Sequence, residues 1–152
     1  MGQTAAKVPL RTAVPKGKTR ICVAGFGLSH HTNRAGKLTR AIVDANPEEY
    51  ESWFYFDSKG YKDFLAQVKS ELPESQRKEF AEHKTSPFCW IELPDGSRNA
   101  KGGRDRFCEW AAHRFKTQRY ADALGLALTD PHLLEFWVDK TPGSAQGNNF
   151  SE

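Results

Sequence analysis

The chain has 152 residues, 38% of them hydrophobic and 27% charged, with four Trp, ten Phe and a formal net charge of +3. That length and composition exclude both two domains of ordinary size and a disordered chain, and fit one domain with a packed core. No run of about 18 apolar residues is present to form a spanning helix, and the first twenty residues lack the apolar stretch of a secretory signal, so a soluble, cytoplasmic or otherwise intracellular protein is expected.

The charge is uneven along the chain. Lys7, Arg11, Lys16, Lys18 and Arg20 stand in the first twenty residues without an acid, which leaves the remainder near −2. Pro9, Pro15 and Gly17 punctuate this stretch, so residues 1 to 19 read as a basic leader, extended or disordered, able to touch anionic lipid or an acidic partner. Met1-Gly2-Gln3-Thr4-Ala5-Ala6-Lys7 approaches an N-myristoylation signal, although Ala6 stands where Ser or Thr belongs. Acylation at Gly2 would add a weak peripheral membrane contact, with the basic residues as its second signal.

The folded part begins near Arg20. Ile21 to Phe26 is a short apolar run closed by Gly27, the mark of a buried strand. A helix follows, capped by Ser29 or Thr32, with Ala35, Leu38, Ile42 and Ala45 on one face and Asn46-Pro47 as its stop. Trp53-Phe54-Tyr55-Phe56 is the second strand, and its aromatic content points to a sheet buried on both faces. Tyr61, Phe64, Leu65, Val68 and Leu72 then recur at helical spacing up to Pro73, after which Glu74 to Glu82 forms a short helix. Phe88 to Leu93 is the third strand, Pro94-Asp95-Gly96-Ser97 a turn, and Arg98 to Lys101 a short fourth strand. Gly102-Gly103 separates that hairpin from a last helix carrying Phe107, Trp110, Ala111, Arg114 and Phe115. The expectation is an α/β domain over residues 20 to 120, of order β-α-β-α-β-β-α. Residues 121 to 152 form an extension, partly docked, in which the apolar segment from Leu133 to Val138 is a candidate surface for a protein partner.

Three local signatures on this element order resemble the glutaredoxin branch of the thioredoxin superfamily, over about residues 20 to 117. The loop after the first strand, where a glutaredoxin carries Cys-x-x-Cys, reads Ser29-His30-His31-Thr32-Asn33-Arg34-Ala35; Thr85-Ser86-Pro87 ahead of the third strand resembles Thr-x-Pro; and Gly102-Gly103-Arg104-Asp105 resembles the Gly-Gly-x-Asp element that opens the last helix. The resemblance implies a thioredoxin-like, four-stranded mixed sheet with helices on both faces, and a cis Pro87. It also implies a groove in which Thr85, Ser86 and Pro87 pair with the cysteinyl part of glutathione while Gly102, Gly103, Arg104 and Asp105 receive its γ-glutamyl carboxylate. Two physical features favour such a groove. A sharp turn exposes the peptide group before Pro87, and a helix start behind two glycines offers N–H groups to a carboxylate.

The chemistry at the active loop differs. Disulfide exchange needs a thiolate of lowered pKa at the start of the first helix, and Ser29 and Thr32 occupy both cysteine positions, so neither the dithiol nor the monothiol route operates there. Cys22, Cys89 and Cys108 match no metal or disulfide spacing and read as buried structural thiols. His30-His31 reads as a pair of loop histidines with ordinary titration, without a metal set or a hydrolase partner. The four Trp read as core residues, so no nucleic-acid partner is expected. The resulting expectation is a redox-inactive glutaredoxin-like module that requires no cofactor and takes glutathione, a thiol peptide or a protein partner. The alternatives are a glutathione transferase-like enzyme using the Ser29 hydroxyl and a structural subunit of a larger assembly.

Overall fold

The computed structural model describes residues 7–115. Gly2, the end of the 20 to 120 unit, the 121 to 152 extension with its Leu133 to Val138 segment, and the side chain of Cys108 lie outside the described part. The elements are β1 (Thr19–Gly25), α1 (His30–Ala45), β2 (Tyr50–Phe56), α2 (Tyr61–Ser70), α3 (Glu74–Glu79), β3 (Phe88–Glu92), β4 (Arg98–Gly102) and α4 (Arg104–Phe115). They form one four-stranded mixed sheet of order β2-β1-β3-β4, with β1 parallel to β2 and antiparallel to β3, and β3 antiparallel to β4.

Alternation along β1 explains how the helices are shared out. Ile21 and Val23 face a core built from Ala35, Leu38 and Ile42 of α1 and Phe107 and Ala111 of α4. Cys22 and Ala24 face the other core, where Phe64, Leu65 and Val68 of α2 meet Leu72, Phe80, Phe88 and Trp90. Successive strand residues point to opposite faces, so a strand apolar throughout must be covered on both. Its neighbour β2 is an edge strand. Tyr50 and Tyr55 are buried while Trp53, Phe54 and Phe56 are only partly covered.

Several boundaries differ from the sequence expectation: β1 runs from Thr19 to Gly25 rather than Ile21 to Phe26, β2 begins at Tyr50 rather than Trp53, β3 ends at Glu92 rather than Leu93, and two further ends have a visible cause. The short helix α3 stops at Glu79 rather than Glu82, because Phe80 turns inward to 4% exposure and packs edge-on against Phe88 at 5.6 Å. Strand β4 runs one residue further, to Gly102, through an irregularity opposite Cys89 and Trp90. Gly102 has φ +84°, and a Cβ there would lie 3.1 Å from Arg106 Cδ and 3.2 Å from Phe80 Cε1, so the turn into α4 is made by a residue without a side chain.

The leader departs further from expectation. Residues 7–18 form no helix or strand, yet Val14 is 7% exposed and the Arg11 side chain 10%. The basic character is therefore not confined to a solvated tail, since both Arg11 and Arg20 are folded into a buried ion network. Glu92, at the end of β3, supplies the reason. Its side chain is 5% exposed, and it is met by Arg11, by Arg20 Nη1 at 3.1 Å and by Arg98 Nε at 3.4 Å, while Trp90 Nε1 donates to it at 2.9 Å. Arg20 Nη1 also donates to Thr12 O at 2.8 Å, which pins the leader backbone. A buried carboxylate persists only when its lone pairs are taken by donors and its charge is opposed, and here the leader supplies part of both.

Burial alone pushes the Glu92 carboxyl up, but the Trp90 indole and the guanidinium groups of Arg11, Arg98 and Arg20 outweigh it and hold the group below the usual carboxylate range. A carboxyl depressed on folding contributes its full stabilisation above its unfolded value and loses it as pH falls through the folded one. Glu92→Gln is expected to cost about 3 kcal/mol at neutral pH, the low end for breaking a buried pair, because Arg11, Arg20 and Arg98 lose their shared buried carboxylate and keep only the part-exposed Glu71 and Glu51. The deficit should shrink as carboxylates protonate. Urea unfolding of both proteins across that pH range checks this, and a deficit that does not change with pH would refute the assignment.

Candidate functional site

At the opposite end of β1 the chain makes a close crossing. Ser29 caps α1 with φ −72° and ψ 131°, its Oγ accepting from Thr32 N at 3.2 Å, which satisfies one of the unpaired N–H groups of the first turn. Thr32 Oγ1 lies 2.7 Å from Ser86 Oγ, and Ser86 Oγ accepts from Phe26 N at 2.8 Å. The last register pair between β1 and β3 is Ala24 with Phe88. Beyond it the Ser86 side chain takes the hydrogen bond that a ladder carbonyl would otherwise accept. The Ser86-Pro87 peptide bond is cis.

Ser29, Thr32 and Ser86 are 2%, 0% and 5% exposed, so these hydroxyls are packed into the end of the sheet. Gly25 lies beneath them. A Cβ at that position would stand 2.4 Å from Thr32 Oγ1 and 2.5 Å from Ser86 Oγ, a distance no carbon tolerates. In contrast Leu28, next to the cap, is 97% exposed.

The start of α4 reaches the same place. Arg104, 7% exposed, donates from Nη1 to His31 Nδ1, and from Nε and Nη2 to Asp105 Oδ1 at 2.9 and 2.7 Å. Because the guanidinium donates to it, Nδ1 of His31 carries no proton in this arrangement. His31 is thus not a loop histidine with ordinary surroundings. It lies in the first turn of α1 and is 6% exposed, while its neighbour His30 is exposed. Asp105 remains 58% exposed, and Gly103 O closes the first turn by accepting from Phe107 N at 2.9 Å.

The sequence-predicted residues therefore meet, although not all in one role. The Thr32–Ser86 contact joins the active loop to the 85–87 segment, and the His31–Arg104 contact joins the loop to α4. Thr85 is exposed, and its carbonyl is already engaged by Tyr61 OH at 2.5 Å and by His83 Nε2 at 3.0 Å. Gly102 is used by the chain turn. Gly103 faces the segment, since a Cβ there would be 3.4 Å from His83 Cε1 and 3.7 Å from Pro87 O. Ser86 makes no hydrogen bond through its own N–H or C=O among the described residues.

Sequence reasoning missed His31, Tyr61 and His83 as supports of the site. His83 Nε2 also lies 3.2 Å from Pro87 O, and its ring stands 4.9 Å from that of Phe88. No local pattern announces these long-range contacts, apart from the two histidines lying next to residues already singled out.

The thiols stand elsewhere. Cys22 and Cys89 are 0% exposed and belong to opposite cores, and burial, with Glu92 adding to it, pushes the Cys22 thiol well up against the opposing pull of Arg11, Arg20 and Arg98. A buried thiol of raised pKa is neither a nucleophile nor a ready metal ligand. Among the described residues no group of three or more His, Cys, Asp or Glu side chains could hold a metal ion, and no helix is long and apolar enough to cross a membrane. No family model, curated protein or solved structure significantly matches this chain.

Gly25→Ala is expected to destabilise the protein by about 1–3 kcal/mol, as overpacked core sites do, and a urea midpoint equal to wild type would show the crossing to be loose. For His83, burial is the main influence and pushes its pKa down, against the hydrogen bonds to Pro87 and Thr85. The folded protein then prefers the neutral ring, so this contribution to stability is present above the unfolded histidine value and falls away as pH drops below it. Ring-proton NMR titration should find His83 protonating below pH about 6.5, the unperturbed value; a midpoint above that would contradict the burial argument.

Proposed function

We propose that the chain is a redox-inactive glutaredoxin-like module of the thioredoxin superfamily. It would bind glutathione or another extended thiol peptide in a groove between the start of α1, the Ser86-Pro87 peptide and the start of α4. The element order, with β1 central and helices on both sheet faces, supports the fold half of this reading. The observation that carries the functional half is the convergence of those three segments on Thr32, Ser86 and His31–Arg104, from positions more than fifty residues apart in sequence.

Each segment has a chemical use in this reading. The Ser86 side chain is packed inward, and its own peptide N–H and C=O make no hydrogen bond among the described residues. An extended ligand pairing with that peptide would use both groups as an added strand does. The start of α4 offers N–H groups to the γ-glutamyl carboxylate, and the exposed Asp105 carboxylate, an acceptor only, suits the adjacent ammonium. Ser29 and Thr32 stand behind the middle of the groove, their buried hydroxyls engaged with the backbone and with Ser86, and neither can form a mixed disulfide.

A transferase using Ser29 is disfavoured by its burial at 2%, since a hydroxyl that stabilises a thiolate must reach it. A protein partner gains support from Leu28, whose 97% exposure beside the groove provides an apolar anchor.

Calorimetry with glutathione is expected to give saturable binding to wild type, weakened about tenfold, or about 1.4 kcal/mol, in Asp105→Ala. A hydroxyethyl disulfide assay alongside should show no reduction, and Ser29→Ala should not alter that result. Absence of binding would leave the groove as a relic and favour a structural subunit; measurable reduction would remove the central claim.

A further inference from the structure

At the far end of the sheet from the candidate site, Arg11 is held in a manner that ion pairing alone does not require. Its guanidinium carbon lies 5.5 Å from the centroid of the Trp53 ring, 5.6 Å from Phe64 and 5.8 Å from Trp90. Its Nη2 donates to both oxygens of Glu71, at 3.0 and 3.3 Å, and Nη1 donates to Glu92 Oε2. Three aromatic walls and two carboxylates thus surround one planar cation. Aromatic faces attract a guanidinium more strongly as it loses water, and carboxylates match its flat array of donors in a way an ammonium cannot reproduce.

Walls and occupant come from different parts of the fold. Trp53 is on β2, Phe64 on α2, Trp90 and Glu92 on β3, and Glu71 follows α2, so the cage is built by the packed sheet and its helix. The occupant comes from a segment whose other anchors are the buried Val14 and the Arg20–Thr12 hydrogen bond. Of residues 7–15, only Arg11 and Val14 are covered, while Val8 and Leu10 are 36% and 84% exposed. The strap is also undercut, because an open pocket of about 130 Å3 lies between Arg11, Thr12 and Val14 on one side and Pro94, Gly96 and Arg98 on the other. A rigid, charge-complementary cage filled by a lightly anchored extended segment is the arrangement of a binding site carrying an internal ligand.

We propose that this cage is a guanidinium-recognition site, occupied in cis by Arg11, and that its exchangeable ligand is the arginine side chain of an extended peptide. Displacement of Arg11 by such a peptide releases the leader. The site is independent of the proposed glutathione groove and uses none of its residues.

The test removes the internal ligand and supplies the same chemistry from outside. Full-length Arg11→Ala is titrated with ethylguanidinium, and separately with ethylammonium, on the order of 10 mM, far below the molar range in which guanidinium unfolds proteins. Thermal melting and Trp fluorescence are the readouts, since Trp53 and Trp90 line the cage. Ethylguanidinium is expected to restore the wild-type midpoint and emission saturably, with ethylammonium at least about tenfold weaker. A peptide of residues 7–14 should bind Arg11→Ala in trans, and the same peptide with lysine at position 11 should bind at least about tenfold less well. Should Arg11→Ala not fold, Arg11→Lys takes its place with the same probes, and recovery by ethylguanidinium of the folded circular dichroism signal counts as the positive result. Equal response to the two cations, no response to either, or a peptide that does not bind would each overturn the proposal.

Discussion

Strand β1 is apolar on both faces and hydrogen-bonded on both edges, and that double demand places everything else. Residues Ile21 to Ala24 are 0–1% exposed, so each face needs its own helical cover and each edge its own strand. Parallel pairing with β2 requires a crossover between the two strands, and α1 supplies it while covering the Ile21 and Val23 face. The antiparallel β3 then closes the other edge, with α2 and the Leu72–Phe80 stretch covering the face of Cys22 and Ala24. Once β1 is fixed, the remaining elements have little freedom.

A strand buried this completely must still end, and its two ends are closed with different chemistry. At Arg20 the closure is ionic, around Glu92. At Gly25 it is made of neutral hydroxyls, around Ser86. Charged closure depends on pH, and it draws in a distant segment because the buried Glu92 shares its charge among Arg11, Arg20 and Arg98, with Glu71 and Glu51 as the outer acids. Hydroxyl closure is compact and indifferent to pH over the physiological range, because Ser and Thr each donate and accept and can satisfy one another. The candidate ligand site therefore rests on an end whose hydroxyls do not titrate, with His83 on the Thr85 and Pro87 carbonyls as its pH-sensitive support, while the end carrying Arg11 is held by charge.

What could be read from the sequence follows the range of the forces involved. Element order, the Ser29 cap, the stop at Asn46-Pro47 and the Asp95-Gly96 turn are written within a few residues, in periodicity and in the backbone preferences of Gly, Pro and Ser. The Thr85-Ser86-Pro87 and Gly102-Gly103 segments were identifiable as pieces, but that Thr32 would meet Ser86 and His31 would meet Arg104 depends on tertiary packing, which no local pattern encodes. The leader was the largest miss for the same reason. Arg11 lies 60 and 81 residues from its two acidic partners, and a run of lysines and arginines broken by prolines looks the same whether one of its members is buried or none is. The end of α3 was missed because a single inward-facing Phe80 outweighs the helical preference of Ala81 and Glu82.

The hydroxyl cluster differs from a pair of thiols in more than the identity of two residues. A thiol is a weak acceptor, so cysteine at position 29 would cap α1 poorly, and cysteine at position 32 would replace the short Thr32–Ser86 hydroxyl contact with a weaker one. The loop is thus packed for oxygen. Its geometry ties helix α1 to the segment just before β3 and makes a closely packed wall there. Among the described residues that wall has the unengaged Ser86 peptide on one side and the start of α4 on the other, the geometry on which the proposed binding of an extended ligand rests.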